Sequence, residues 1–177
     1  LGTLGIISPM INTKEDCEKF VSYCHYPPLG VRSFGPMRGI LKFGPEYYQY
    51  ANDNIISLAM IETKEAVENL DEILSVKNLN GVYIGPADMS ISYGKQPKFD
   101  VKDDPIYSNI KLIAQKAKQY KKIAGIHNGS VNYAKEMIEL GYQFITVSSD
   151  YRAMTTYSQS IVDGLQNTKK DDENQTY

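Results

Sequence analysis

The chain has 177 residues, enough for one domain with a sizeable buried core, and its 42% hydrophobic and 23% charged residues exclude wholesale disorder. A net charge of −2 leaves no electrostatic footprint for nucleic acid or an anionic membrane. No apolar run approaches the roughly 20 residues that span a bilayer, so neither a nucleic-acid nor a membrane partner is expected.

In chain order, the first strand candidate is Leu4 to Ile7, followed by Ser8-Pro9-Met10. Asn12 or Thr13 caps a predicted helix through Cys24, with acidic residues in its first turn favoured by the helix dipole. Its two cysteines, Cys17 and Cys24, are separated by about 10 Å of helix rise, too far for a disulfide. Two free thiols fit a reducing compartment, and a cytoplasmic location is expected. The chain begins at Leu1 rather than Met, with no signal-peptide pattern in its first residues. The Pro- and Gly-rich stretch from Tyr26 to Pro36 reads as a long irregular connection, and a short helix follows Pro45 to about Asn52.

The second strand is Ile55 to Ile61 and ends at Glu62. Thr63 caps a helix whose apolar positions Ala66, Val67, Leu70, Ile73 and Leu74 keep helical spacing. The third strand, Gly81 to Ile84, ends in Gly85-Pro86-Ala87-Asp88, and a polar loop is expected over Ile91 to Asp104. A helix with Ile106, Ile110, Ile113 and Ala117 on one stripe leads to a fourth strand, Ile123 to Ile126, ending at His127-Asn128-Gly129. Ser130 caps the next helix and Gly141 ends it. The fifth strand is Phe144 to Val147. Asp150 is expected to cap a last helix carrying Met154, Tyr157, Ile161 and Leu165. The expected organisation is a (β/α) domain over residues 1–166 and a polar tail over 167–177.

Near-continuous apolar strands alternating with amphipathic helices indicate an α/β fold with a parallel sheet covered on both faces. Periodicity does not separate a barrel from an open sheet, but both place function at the strand C-terminal ends. There the strongest pair is Glu62 and Asp88, each the first carboxylate after consecutive strands. Two adjacent carboxylates can hold a hard divalent cation through oxygen, act as an acid/base or nucleophile pair, or merely cap the helices that follow.

The run from Met60-Ile61-Glu62-Thr63 to Leu70, and the run Gly81-Val82-Tyr83-Ile84-Gly85-Pro86-Ala87-Asp88-Met89-Ser90, closely resemble the two central motifs of the HpcH/HpaI aldolase family. Ser8-Pro9-Met10, the segment Tyr26 to Arg32, Gly125-Ile126 and Glu139-Leu140-Gly141 extend the resemblance over residues 2–165. The resemblance implies a TIM-type (β/α)8 barrel, of which this chain supplies about five βα units. It implies a metal-dependent aldolase, a carbon–carbon lyase that cleaves a 4-hydroxy-2-oxo acid to pyruvate, or a related 2-oxo acid, and an aldehyde. Glu62 and Asp88 would bind Mg²⁺ or Mn²⁺, with Co²⁺ a further option. The amides of Ala87 and Asp88 would hold the substrate carboxylate, beside Gly85 and Met60. Met60 stands where many members carry Gln. A homo-oligomer is also implied.

The family's catalytic His and oxyanion-stabilising Arg belong before the region matching Leu1, so no catalytic residue of this chain is assigned. Five strands do not close an eight-stranded barrel. The chain is therefore expected to be a fragment, or to lack an N-terminal third that was removed or comes from another chain, and to be inactive or impaired alone. Two alternatives stay open: a non-catalytic metal- or oxo-acid-binding or assembly module, and a carbon–carbon lyase on a thioester resembling the citrate-lyase β subunit. The second predicts a basic cluster at the mouth, for which only Arg32, Arg38 and Lys42 are available. Among lesser candidates, His127 can bind substrate or handle a proton, and Arg32 can reach an anionic substrate or anchor its loop. His25 is expected to serve packing at a helix end.

Overall fold

The computed structural model describes residues 2–173, with side chains through residue 166. Its order is β1 (Gly5–Ser8), α1 (Lys14–Cys24), α2 (Met37–Phe43), α3 (Tyr47–Asn54), β2 (Ile56–Ile61), α4 (Lys64–Glu68), α5 (Leu70–Leu74), β3 (Gly81–Ile84), α6 (Pro86–Ser92), α7 (Ile106–Gln119), β4 (Ile123–Asn128), α8 (Val131–Glu139), β5 (Phe144–Val147) and α9 (Asp150–Glu173). The five strands form one sheet in chain order, β1-β2-β3-β4-β5, and the first four pair in parallel. A doubly wound open sheet reverses its strand order at a switch point. This one does not: it is the arc of a TIM-type barrel.

Strand alternation sorts the side chains onto two faces. Ala59 and Ile61, Val82 and Ile84, and Ala124 and Ile126 face the helices in the main core, with Ile73 and Leu74 of α5, the α7 stripe Ile106, Ile110, Ile113 and Ala117, and Met137 of α8. The other face carries Met60 and Tyr83, which are registered partners along with Gly125. Gly125 is required there, because a Cβ would lie 2.7 Å from the Tyr83 ring.

Most helix boundaries follow local signals. Thr13 and Asp16 form a reciprocal capping box on α1. Thr63 caps α4 and Ser130 caps α8 through their hydroxyls, and Gly141 takes φ +99 just beyond α8.

The segment 37–43, to which the sequence reading gave no element, forms α2. Four expectations change. The single helix expected from Thr63 divides at Asn69, whose amide donates to the Asn12 carbonyl at 2.9 Å. The Gly85-Pro86-Ala87-Asp88 turn is itself the start of α6, with Pro86 at the first helical position where its missing N–H costs nothing, so the polar connection begins only after Ser92. The fourth strand continues through His127 and Asn128, the latter pinned by donating to the carbonyls of Ile126 and Thr146 at 3.1 and 3.0 Å. Ser149, rather than Asp150, accepts from the Arg152 N–H at the start of α9, and Asp150 is the first helical residue.

The chain divides into two compact units, one through Thr146 and one from Val147 onward. Met154, Tyr157, Ile161 and Leu165 lie on α9. That helix runs through Glu173, past the expected start of the tail at 167, and residues 174–177 lie outside the described residues. No described helix is long and apolar enough to cross a membrane.

Candidate functional site

Glu62 follows β2 directly and is only 2% exposed. A carboxylate so buried needs partners. One is the Met10 N–H, which donates to Oε1 at 2.8 Å. Met10 adopts φ +56, a left-handed conformation that costs a non-glycine residue roughly 1–2 kcal/mol and aims its amide across the strand ends. The second oxygen, Oε2, lies where a side chain at position 85 would go: a Cβ there would be 2.4 Å from Oε2 and 3.0 Å from the Met60 methyl. Gly85, buried at the head of α6, therefore lets the Glu62 carboxylate and the Met60 methyl pack against its backbone.

Thr63, not Glu62, supplies the oxygen that caps α4, accepting from the Ala66 N–H at 3.0 Å. The capping explanation for Glu62 thus falls away. Asp88 sits in the first turn of α6, exposed to solvent. Burial pushes the Glu62 carboxyl above the usual carboxylate range, the Met10 hydrogen bond opposes that rise, and the negative charge of Asp88 adds to it. The last influence ties the two carboxylates electrostatically.

This arrangement suits a divalent cation. Two carboxylates give hard oxygen donors and leave positions for water and a chelating ligand, and a cation would offset both the burial and the mutual repulsion of the pair. Among the described residues no group of three or more His, Cys, Asp and Glu side chains is placed to hold a metal, so any cation here rests on the pair and on exogenous oxygens. The N–H groups of Ala87 and Asp88, in the first turn of α6, have no acceptor within the helix.

His127 lies on the same face of the sheet, two strands away. Its Nδ1 is 2.9 Å from Thr146 Oγ1, the same hydroxyl bonded to Tyr83, and its ring meets Phe99 edge-on at 4.9 Å. Arg32 is elsewhere: its guanidinium lies 4.5 Å over the Tyr26 ring and donates to the Tyr47 hydroxyl at 3.4 Å, in a small cluster apart from the main core. Lys42 sits over Phe43. The basic cluster considered for a thioester phosphate therefore stands on the α2–α3 side. His25 is buried and donates through Nδ1 to the Val21 carbonyl at 2.8 Å, a helix-end contact. Sequence reasoning missed Met10, Tyr83, Thr146 and Phe99. The first had a signal, the Pro-Met step after a strand. The others had none.

A family model described as HpcH/HpaI aldolase/citrate lyase matches residues 1–156. The chain belongs to the HpcH/HpaI aldolase/citrate lyase family. It is 37% identical over 161 residues to a hydroxypyruvate/pyruvate aldolase of Rhizorhabdus wittichii, covering 91% of this chain and 64% of that protein. It is 31% identical over 166 residues to a 4-hydroxy-2-oxo-heptane-1,7-dioate aldolase of Shigella flexneri, covering 91% of this chain and 61% of that one. A solved HpcH/HpaI aldolase from Desulfitobacterium hafniense DCB-2 superposes with a TM-score of 0.83 at 27% identity, over 93% of this chain and 64% of that chain. This HpcH/HpaI family member thus spans about three-fifths of the length of the curated relatives it matches.

Proposed function

We propose that this HpcH/HpaI chain carries the metal and oxo-acid site of a divalent-metal-dependent aldolase that cleaves a 4-hydroxy-2-oxo acid to pyruvate, or a related 2-oxo acid, and an aldehyde. The observation that carries the reading is the buried Glu62 carboxylate, oriented by the Met10 N–H and charge-linked to Asp88, with Oε2 packed against the backbone of Gly85. The names of the curated relatives, both aldolases on oxo acids, support it over a thioester lyase.

Breaking the C3–C4 bond of such a substrate leaves negative charge on an enolate oxygen. A bound Mg²⁺ or Mn²⁺ ion would supply positive charge to offset it. Glu62 and Asp88 would hold the cation, and the main-chain N–H groups of Ala87 and Asp88 would receive the substrate carboxylate. Met60, half-buried with its methyl beside Gly85, forms the apolar wall. Assembly as a cytoplasmic homo-oligomer belongs to the same proposal.

The test is calorimetric. Mg²⁺ or Mn²⁺ is titrated into the chain with and without pyruvate, beside Glu62→Gln and Asp88→Asn. Cation binding that pyruvate tightens and either substitution abolishes is the expected result. A folded chain that binds neither cation nor pyruvate overturns the reading.

A further inference from the structure

We infer that His127 recognises the hydroxyl at the aldehyde-derived end of the substrate and is a specificity-determining residue of this site. The inference rests on the metal and oxo-acid reading and extends it to the half of the substrate that reading leaves unassigned.

The registered row Ile61, Ile84, Ile126 faces the helices. One residue further along each strand come Glu62, Gly85 and His127, on the opposite face. That assignment does not depend on alternation alone. A Cβ at Gly85 would point at Glu62 and Met60, a Cβ at Gly125 would point at Tyr83, and both Tyr83 and His127 reach Thr146. Glu62 and His127 are thus the two side chains flanking a glycine. Two inter-strand spacings separate their backbones, about 10 Å. The span between them receives no side chain from β3, and the Glu62 carboxylate lies against the Gly85 backbone. The Glu62 wall of this span is anionic, suited to a cation and the chelating end of an oxo acid. Its His127 wall is a polar aromatic ring, suited to a neutral hydroxyl.

The imidazole is also held in place. Thr146 Oγ1 bonds His127 Nδ1 on one side and the Tyr83 hydroxyl on the other, and Tyr83 is buried in mid-sheet. A hydroxyl has one proton, so the chain Tyr83–Thr146–His127 has one proton order at a time, and that order sets the tautomer of His127. Phe99, from the connection between α6 and α7, fixes the ring plane by its edge contact. Such fixation makes a hydrogen-bonding group discriminating, because a site built to bond a hydroxyl rejects an analogue lacking it. Thr146 and Tyr83 are positioning residues that act through His127.

The experiment uses the full chain loaded with Mg²⁺ and compares 4-hydroxy-2-oxopentanoate with 2-oxopentanoate, which differ only in the C4 hydroxyl, with pyruvate as the short reference. The wild-type chain is expected to prefer the hydroxy acid by about 5–10-fold, the net effect of one hydrogen bond. His127→Phe is expected to bring that ratio near one, and His127→Gln to restore part of it. The chain has two histidines, and His25 is buried against Val21, so ring ¹⁵N shifts report His127 against an internal reference. Thr146→Val is expected to change the tautomer signature of His127 and to reduce the preference. A chain that binds Mg²⁺ and pyruvate, but whose His127→Phe and Thr146→Val variants keep the wild-type preference, overturns this inference alone. A chain that binds neither Mg²⁺ nor pyruvate overturns both readings.

Discussion

The main-chain N–H of Met10 donates to the carboxylate of Glu62 at 2.8 Å across 52 positions of sequence, joining the end of β1 to the end of β2. The bond fixes which oxygen of Glu62 accepts from the main chain and leaves Oε2 against the backbone of Gly85.

Gly85→Ala places a methyl group 2.4 Å from Glu62 Oε2. Either the carboxylate or the head of α6 has to move. The expected outcome is a fold retained by circular dichroism at a cost of about 1–3 kcal/mol, with divalent-cation affinity in calorimetry reduced at least about tenfold, that is by about 1.4 kcal/mol. Wild-type cation affinity in the variant would show that Oε2 has no part in binding.

The raised Glu62 carboxyl sets a pH dependence. In the cation-free chain its value lies above the unfolded one, so the folded state binds the proton more tightly. That stability is fully present below the usual carboxylate range and is lost as pH rises through the raised value. Thermal unfolding across this window is expected to show a falling midpoint, flattened by Glu62→Gln and opposed by Mg²⁺, which binds the ionised form. A midpoint that rises over the same window in metal-free buffer would refute the assignment.

Gly125→Ala tests the same face of the sheet, two residues before His127 on β4. The new Cβ would meet the Tyr83 ring at 2.7 Å and Phe144 at 3.2 Å, so the Tyr83 ring has to shift. Denaturant unfolding is expected to show a loss of about 1–3 kcal/mol. The ¹⁵N shifts of His127 should move with it, because the displaced Tyr83 hydroxyl no longer orders Thr146.

Both cysteines are buried and free. Burial pushes the Cys17 thiol up to about 12 and raises Cys24 as well. A thiol is reactive only as thiolate, so labelling by a disulfide reagent at neutral pH should be slow in the native chain and should appear with global unfolding. Rapid labelling of either cysteine under native conditions would show that α1 opens independently.

By itself, the sequence determined the five βα units, the α7 stripe Ile106, Ile110, Ile113 and Ala117, the caps Thr63 and Ser130, and the place of Glu62 directly after β2. These are local patterns, set by residue spacing and by which side chains satisfy exposed helix N–H groups. Tertiary structure decided what local patterns leave degenerate. A βα repeat reads the same in a barrel and in an open sheet, and only strand order separates them. Gly85-Pro86 reads equally as a turn and as a helix start, and His127-Asn128 looks like loop until Asn128 finds the Thr146 carbonyl on the neighbouring strand. The left-handed Met10 amide on Glu62, the packing of Glu62 against Gly85 and the Tyr83–Thr146–His127 chain join residues 19 to 63 positions apart, with Gly85 itself 23 positions beyond Glu62. Those contacts exist only when neighbouring strands lie in register, because register decides which side chains share a face.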